Sequence, residues 1–203
     1  MGRELLSAFA QYKGLTALLV VLVVLLIFTS IKAARAVRRH NAERDAILRK
    51  LKADAALREK YASVTRETAL EADGRELLHG VALCIQQRIE RDSDLTAAFR
   101  ALPEAEQYIY AWNYLLCEDA DTLSAFFRLN GSPLTDAALE GARAAFDEAH
   151  RAVFERGWRM FDPDDETTSA REQDVQSLDA DFAADSDVLF DSIRTFIADH
   201  SAE

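Results

Sequence analysis

Two short stretches carry residue types that could do chemistry. Glu76-Leu77-Leu78-His79 and Asp147-Glu148-Ala149-His150 each place a carboxylate three residues before an imidazole. On an α-helix, positions i and i+3 share a side, so each stretch could offer two ligands to one cation, as the Glu-x-x-His segments of di-iron helical bundles do. Glu76, His79, Asp147 and His150 are therefore the candidate metal ligands. A full site also needs an inward carboxylate from each of two other helices. His79 falls opposite Leu77, Val81 and Cys84, toward the wetter face, which favours ordinary surface histidines. Neither His40, beside the basic segment described below, nor His200, near the end, suggests catalysis.

Nucleophile elbows, phosphate-cradling glycine loops and paired CxxC motifs are absent, and the seven glycines are scattered. The acidic pairs Glu118-Asp119, Asp164-Asp165 and Asp179/Asp181 are adjacent or two apart, so they do not converge on one face and read as solvated surface. The expectation is no catalytic residue, no cofactor and no metal. Cys84 and Cys117 do not make a disulfide framework in a chain this long. Both fall in apolar helical patterns as free thiols, which suits a reducing compartment.

The elements that would position these groups are helical. Gly and Pro number 7 and 3 among 203 residues, and no strand pattern competes with the helical ones, so the fold class is all-α. Gly14 to Ile31 is an uncharged run between Lys13 and Lys32, apolar at its centre, with no polar stripe. At about 1.5 Å per residue it spans roughly 27 Å, near the thickness of a bilayer core, and predicts a single transmembrane helix. Ala34-Arg35-Ala36 resembles a cleavage site, but Lys32, Arg35, Arg38, Arg39 and Arg44 cluster around it. Positive charge there favours retention as an anchor, with the larger part of the chain on the cytoplasmic side. The predicted organisation is a short segment over 1–13, the span over 14–31, a basic helical linker over 32–70, and an acidic helical domain over 71–203.

Charge divides in the same way. Residues 1–69 hold 13 Lys or Arg and 6 Asp or Glu, a net of +7, whereas residues 70–203 hold 11 and 29, a net of −18. A surface this acidic repels phosphate backbones and excludes direct nucleic-acid binding.

Within 32–70 the apolar stripe of Ile47, Leu48, Leu51, Ala55 and Tyr61 is weak, predicting a solvated helix that breaks near Ser63-Val64-Thr65. From Gly74, the buried face is read as Leu77, Val81, Cys84, Ile85 and Ile89. Asp94 caps a short Leu95–Leu102 segment, and Pro103 opens a helix with the aromatic-rich stripe Tyr108, Ile109, Trp112, Leu115 and Leu116. Thr122 opens a segment that Asn130-Gly131-Ser132-Pro133 ends. Thr135 then caps one long helix to about Arg156, with Leu139, Ala142, Phe146, Ala149 and Val153 inward and Gly157 as its stop. Asp162–Ala170 reads as a loop. A last helix carries Leu189, Ile193, Phe196 and Ile197, with Asp185 or Ser186 as its cap.

One pattern goes beyond composition. Glu106-Gln107-Tyr108, Leu115-Leu116-Cys117-Glu118 and Phe126-Phe127-Arg128-Leu129-Asn130, with Leu178-Asp179-Ala180-Asp181-Phe182 near the end, resemble the bacterial DNA-mimic-protein-like domain family over roughly residues 75–200. The matching positions are Glu118, Phe126, Phe127 and Asn130. Where that family has a glycine pair, this chain has Asp121-Thr122-Leu123. The resemblance implies an acidic helical domain and, by analogy with one member, imitation of DNA.

The functional expectation is a membrane-anchored, cytoplasm-facing domain that binds another protein, such as a basic, nucleic-acid-binding one. Glu104, Glu106, Asp136, Glu140 and Asp147 are the candidate protein-binding residues, on helices Pro103–Glu118 and Asp136–Arg156. The alternatives are a membrane-tethered metalloenzyme using Glu76, His79, Asp147 and His150, and a structural anchor that self-associates through residues 40–70.

Overall fold

A computed structural model describes residues 13–118, 122–161 and 171–201, with only part of the side chains before residue 44. The described residues form helices and no strands, so the chain is all-α. In chain order these are α1 (Lys13–Lys60), α2 (Arg66–Glu71), α3 (Gly74–Ile89), α4 (Leu95–Arg100), α5 (Glu104–Leu116), α6 (Leu123–Leu129), α7 (Leu134–Ala145), α8 (Glu148–Met160), α9 (Glu172–Ala183) and α10 (Ser186–His200). Two compact units result, Met1–Ala53 and Asp54–Glu203.

In the first unit, α1 runs without a break through the apolar stretch. Among the described residues no helix is long and apolar enough to cross a membrane, and most side chains of the predicted span over 14–31 lie outside that description. Ile47, Leu48 and Leu51 are exposed.

The second unit begins earlier than the apolar pattern after Gly74 suggests. Tyr61 and Ala69, which the sequence places in a solvated linker, are buried in its core. Short polar side chains set five of the helix starts by accepting otherwise orphaned amide protons. Thr65 and Thr68 form a reciprocal capping box before α2. Asp73 accepts from the Glu76 amide, Asp94 from Ala97 and Thr122 from Ala125. Helix α5 packs between α3 and α7, α10 lies against α2 and α3, and α8 contacts α7, α9 and α6. Trp112, fully buried on α5, has ring neighbours Phe146 at 5.4 Å and Phe196 at 5.1 Å.

Two expectations about the helices are corrected. The predicted long helix to Arg156 is two helices, because Phe146 and Asp147 take extended ψ angles of 148° and 163°. Asp147 turns its carboxylate back on the amides of Ala149 and His150, which starts α8 anew, and Phe146 enters the core. Phe154 is buried in place of the expected Ala149, which is exposed, and Thr135 lies inside α7 rather than capping it. Gly157 is not a stop, since α8 continues to Met160. A Cβ there would sit 2.8 Å from the Phe127 ring, so a missing side chain, rather than a helix end, is what the position requires. On α3 the fully buried positions include Leu78 and Ala82, while Val81 and Cys84 are half-buried.

Candidate functional site

Each carboxylate–histidine pair is bound up in bonds of its own. Glu76 on α3 accepts from Lys60 and, at 3.0 Å, from the Tyr61 hydroxyl. Those bonds hold its carboxyl below the usual range. His79, one turn on, is not on a wet face. Its Nδ1 meets Oδ1 of the buried Asn113 at 2.9 Å, its Nε2 lies 3.6 Å from Asp54 on α1, and its side chain is 17% exposed. The i,i+3 spacing therefore aims both groups at neighbouring elements, tying α3 to the end of α1 and to α5.

The second pair is more deeply enclosed. Asp147 caps α8 through Oδ1, while its Oδ2 lies 2.5 Å from Nδ1 of His150, and Nε2 of His150 lies 2.8 Å from the Ala184 carbonyl. Burial works to raise the Asp147 carboxyl, but the bonds from the His150 amide and ring and the Ala149 amide hold it below its ordinary range. His150 is 3% exposed and packs edge-on against Phe182. It is a buried histidine, contrary to the surface position expected of it. Among the described residues no group of three or more His, Cys, Asp or Glu is arranged to hold a metal ion.

The other candidates divide between structural and solvent-facing roles. Asp179 accepts from the Ser124 amide at 2.8 Å and its hydroxyl at 2.6 Å, fixing α9 on α6, whereas Asp181 pairs with Arg156 at 2.5 Å. Asp179 is therefore not the solvated carboxylate its spacing suggests. Asp119 and the pair Asp164-Asp165 lie outside the described residues, as does the loop expected over Asp162–Ala170. Cys84 and Cys117 are free thiols; burial pushes both up, Cys117 to about 11, so neither is an activated nucleophile near neutral pH. His40 is exposed, and His200 stacks on Phe196 with ring centroids 4.1 Å apart.

The five candidate protein-binding carboxylates are not equivalent. Asp147 is committed to its cap and to His150, and Glu106 is paired with Arg88 at 2.5 Å. Asp136 accepts from Ser132, and the exposed Glu140 meets Arg143 at 2.7 Å. Glu104 is exposed and has no partner among the described residues. Glu104 on α5 and Glu140 on α7 share a neighbour, Tyr108. Burial first, then the charges of these two carboxylates, push its hydroxyl up. The two helices pack on each other, with Tyr108 against Gly141, the residue after Glu140.

Of the residues behind the family resemblance, Phe126 is fully buried, Phe127 packs among Phe154, Trp158 and Phe161, and Asn130 closes α6 with a 3.0 Å bond to the Phe126 carbonyl. All of these are packing or capping roles. No family model, curated protein or solved structure matches this chain.

Proposed function

We propose that residues 14–31 anchor the chain in a lipid bilayer and that the unit Asp54–Glu203 acts by binding a basic protein. Glu104, Asp136 and Glu140, on α5 and α7, form the contact face. The observation that carries this reading is the packing of α5 on α7, the helices that carry Glu104 and Glu140, in a unit with 14 Lys or Arg and 32 Asp or Glu, a net of −18. A field of that sign speeds encounter with a positive partner and repels nucleic acid. The uncharged run flanked by Lys13 and Lys32 supports the anchor, and the basic residues after it support a cytoplasmic unit. Imitation of DNA is the form of this reading that the family resemblance suggests.

The test is capture of partners from a native lysate by the full chain at two salt concentrations, beside Glu104→Lys, Asp136→Lys and Glu140→Lys combined. Glu106 and Asp147 are left alone because they hold the fold. The Debye length falls from roughly 30 Å at 0.01 M to about 8 Å at 0.15 M, so capture should fall with salt and with the reversals. A partner held equally well under all conditions would exclude charge as the recognition device. Deleting 14–31 should release the chain from the membrane fraction, and retention there would exclude the anchor.

A second reading draws on one observation: the exposed Ile47, Leu48 and Leu51 place apolar side chains one turn apart on α1. Self-association there predicts that Ile47→Glu with Leu51→Glu lowers the oligomeric state seen by cross-linking in membranes. An unchanged pattern would remove it.

A further inference from the structure

The second unit contains a cleft of about 730 Å³ whose charge is opposite to that of the unit as a whole. Three arginines line it, Arg58 from α1, Arg88 from the last turn of α3 and Arg91 from the turn after it, and Glu106 is its sole carboxylate. Glu106 is already paired with Arg88. Arg58 reaches only the Asp54 carbonyl, at 3.4 Å, and Arg91 has no side-chain partner among the described residues. Two guanidinium groups therefore face this space without a counter-charge, in a unit where acids outnumber bases by more than two to one. Part of the basic charge at the end of α3 complements the negative pole of that helix. That role does not account for Arg58, which belongs to another helix and converges on the same opening.

Val81, Ile85, Ile109 and Ile197 give the cleft an apolar wall, and Ser63, Thr65, Gln87, His200 and Ser201 also line it. Cys84 sits between the two kinds of wall. Its thiol lies 3.5 Å from the Arg58 carbonyl and 3.6 Å from that of Tyr61. It is pushed up by burial and pulled the other way by the charges of Arg58 and Arg88. A cleft of this size suits a small molecule, and a guanidinium fork suits a carboxylate or phosphate.

We propose that this cleft binds a small amphipathic anion, its carboxylate or phosphate head held by Arg58 and Arg91 and its apolar body lying on Val81, Ile85 and Ile109. This goes beyond the acidic contact face and uses none of its residues.

The experiment uses the full chain in nanodiscs of zwitterionic lipid, with hexyl phosphate, hexanoate, hexanol and inorganic phosphate as probes. Two readouts are taken: heat of binding by calorimetry, and the rate at which a maleimide modifies Cys84. Cys117, in a different cleft, is the internal control. At saturation, hexyl phosphate or hexanoate should release heat and slow Cys84 at least tenfold with Cys117 unchanged, and whichever binds tighter identifies the head group. Arg58→Gln with Arg91→Gln should abolish both effects. Absence of heat and protection with either anion would overturn the proposal. So would equal protection by hexanol or inorganic phosphate, equal protection of Cys117, or full binding by the double variant.

Discussion

Nε2 of His150 lies 2.8 Å from the carbonyl oxygen of Ala184, thirty-four positions further along the chain. A carbonyl can only accept, so the ring donates there, while its other nitrogen meets the Asp147 carboxylate at 2.5 Å. The two ring nitrogens bridge a side-chain carboxylate and a backbone carbonyl. One buried side chain thus joins the start of α8 to the junction of α9 and α10. Replacement by Ala removes both bonds of a buried side chain, and should cost about 1–3 kcal/mol in urea unfolding. His200→Ala, near the surface, should cost about 0.5 kcal/mol or less. Equal costs would deny His150 this bracing role.

Acid sensitivity follows from Asp147. Its carboxyl is held below the ordinary 3.8 in the folded chain. A depressed value means stability that is fully present above the unfolded value and lost as pH falls through the folded one. The stability difference between the natural chain and Asp147→Asn should therefore be constant above about pH 5 and shrink below about pH 4. A difference that grew as the pH fell would reverse the sign of the argument.

Asp185 has φ 51° and ψ 36°, in the left-handed region, and its side chain makes no cap bond to α10. Asp tolerates this conformation better than most residues, and a β-branched side chain does not. Asp185→Gly should be close to neutral, whereas Asp185→Val should unfold at lower denaturant by about 1–2 kcal/mol. Indistinguishable midpoints would show that the backbone at this junction relaxes freely.

Gly157 gives a prediction whose sign is decided by packing. Helix propensity alone says Gly157→Ala stabilises by about 1 kcal/mol. The new methyl, however, meets the Phe127 ring at 2.8 Å and Leu123 and Leu178 at 3.3 Å. Overpacking of this kind costs about 1–3 kcal/mol, so thermal unfolding should move to lower temperature. A rise in midpoint would mean that the Phe127 cluster gives way.

The helices of the second unit were legible where a cap and an apolar stripe agreed. Asp94 before α4 and Thr122 before α6 act as their types suggest, and Trp112, Leu115, Leu139 and Phe146 are in the core as their spacing predicts. Periodicity failed where one residue satisfied two patterns. Asp147 lies in helical register with its neighbours and is also a good cap, and only the burial of Phe146 decides between the two. The site residues were harder to read, because their partners are distant in sequence. Asp54 and Asn113 belong to His79, Ala184 to His150 and Ser124 to Asp179, and no local pattern announces a contact across 25, 34 or 55 positions. A detectable hint was Asn113 itself, a polar residue one position after Trp112 on the buried stripe of α5. Arg58 was hidden for another reason: its helix reads as solvated linker until Tyr61 is seen in the core.

The docking of α10 on α2 and α3 also governs the order of assembly on the ribosome. Ala69 and Leu77 are made early, yet Leu189, Ile193 and Ile197, from the helix that lies against theirs, emerge more than a hundred residues later. At about 5–20 residues per second the delay is of the order of ten seconds, far longer than a helix needs to form. During that interval the early helices have no α10 to cover them. If residues 14–31 are the anchor proposed above and are already in the bilayer, the nascent unit waits as a tethered, partly apolar chain, and that interval is when a chaperone or a neighbouring copy has the best access to it.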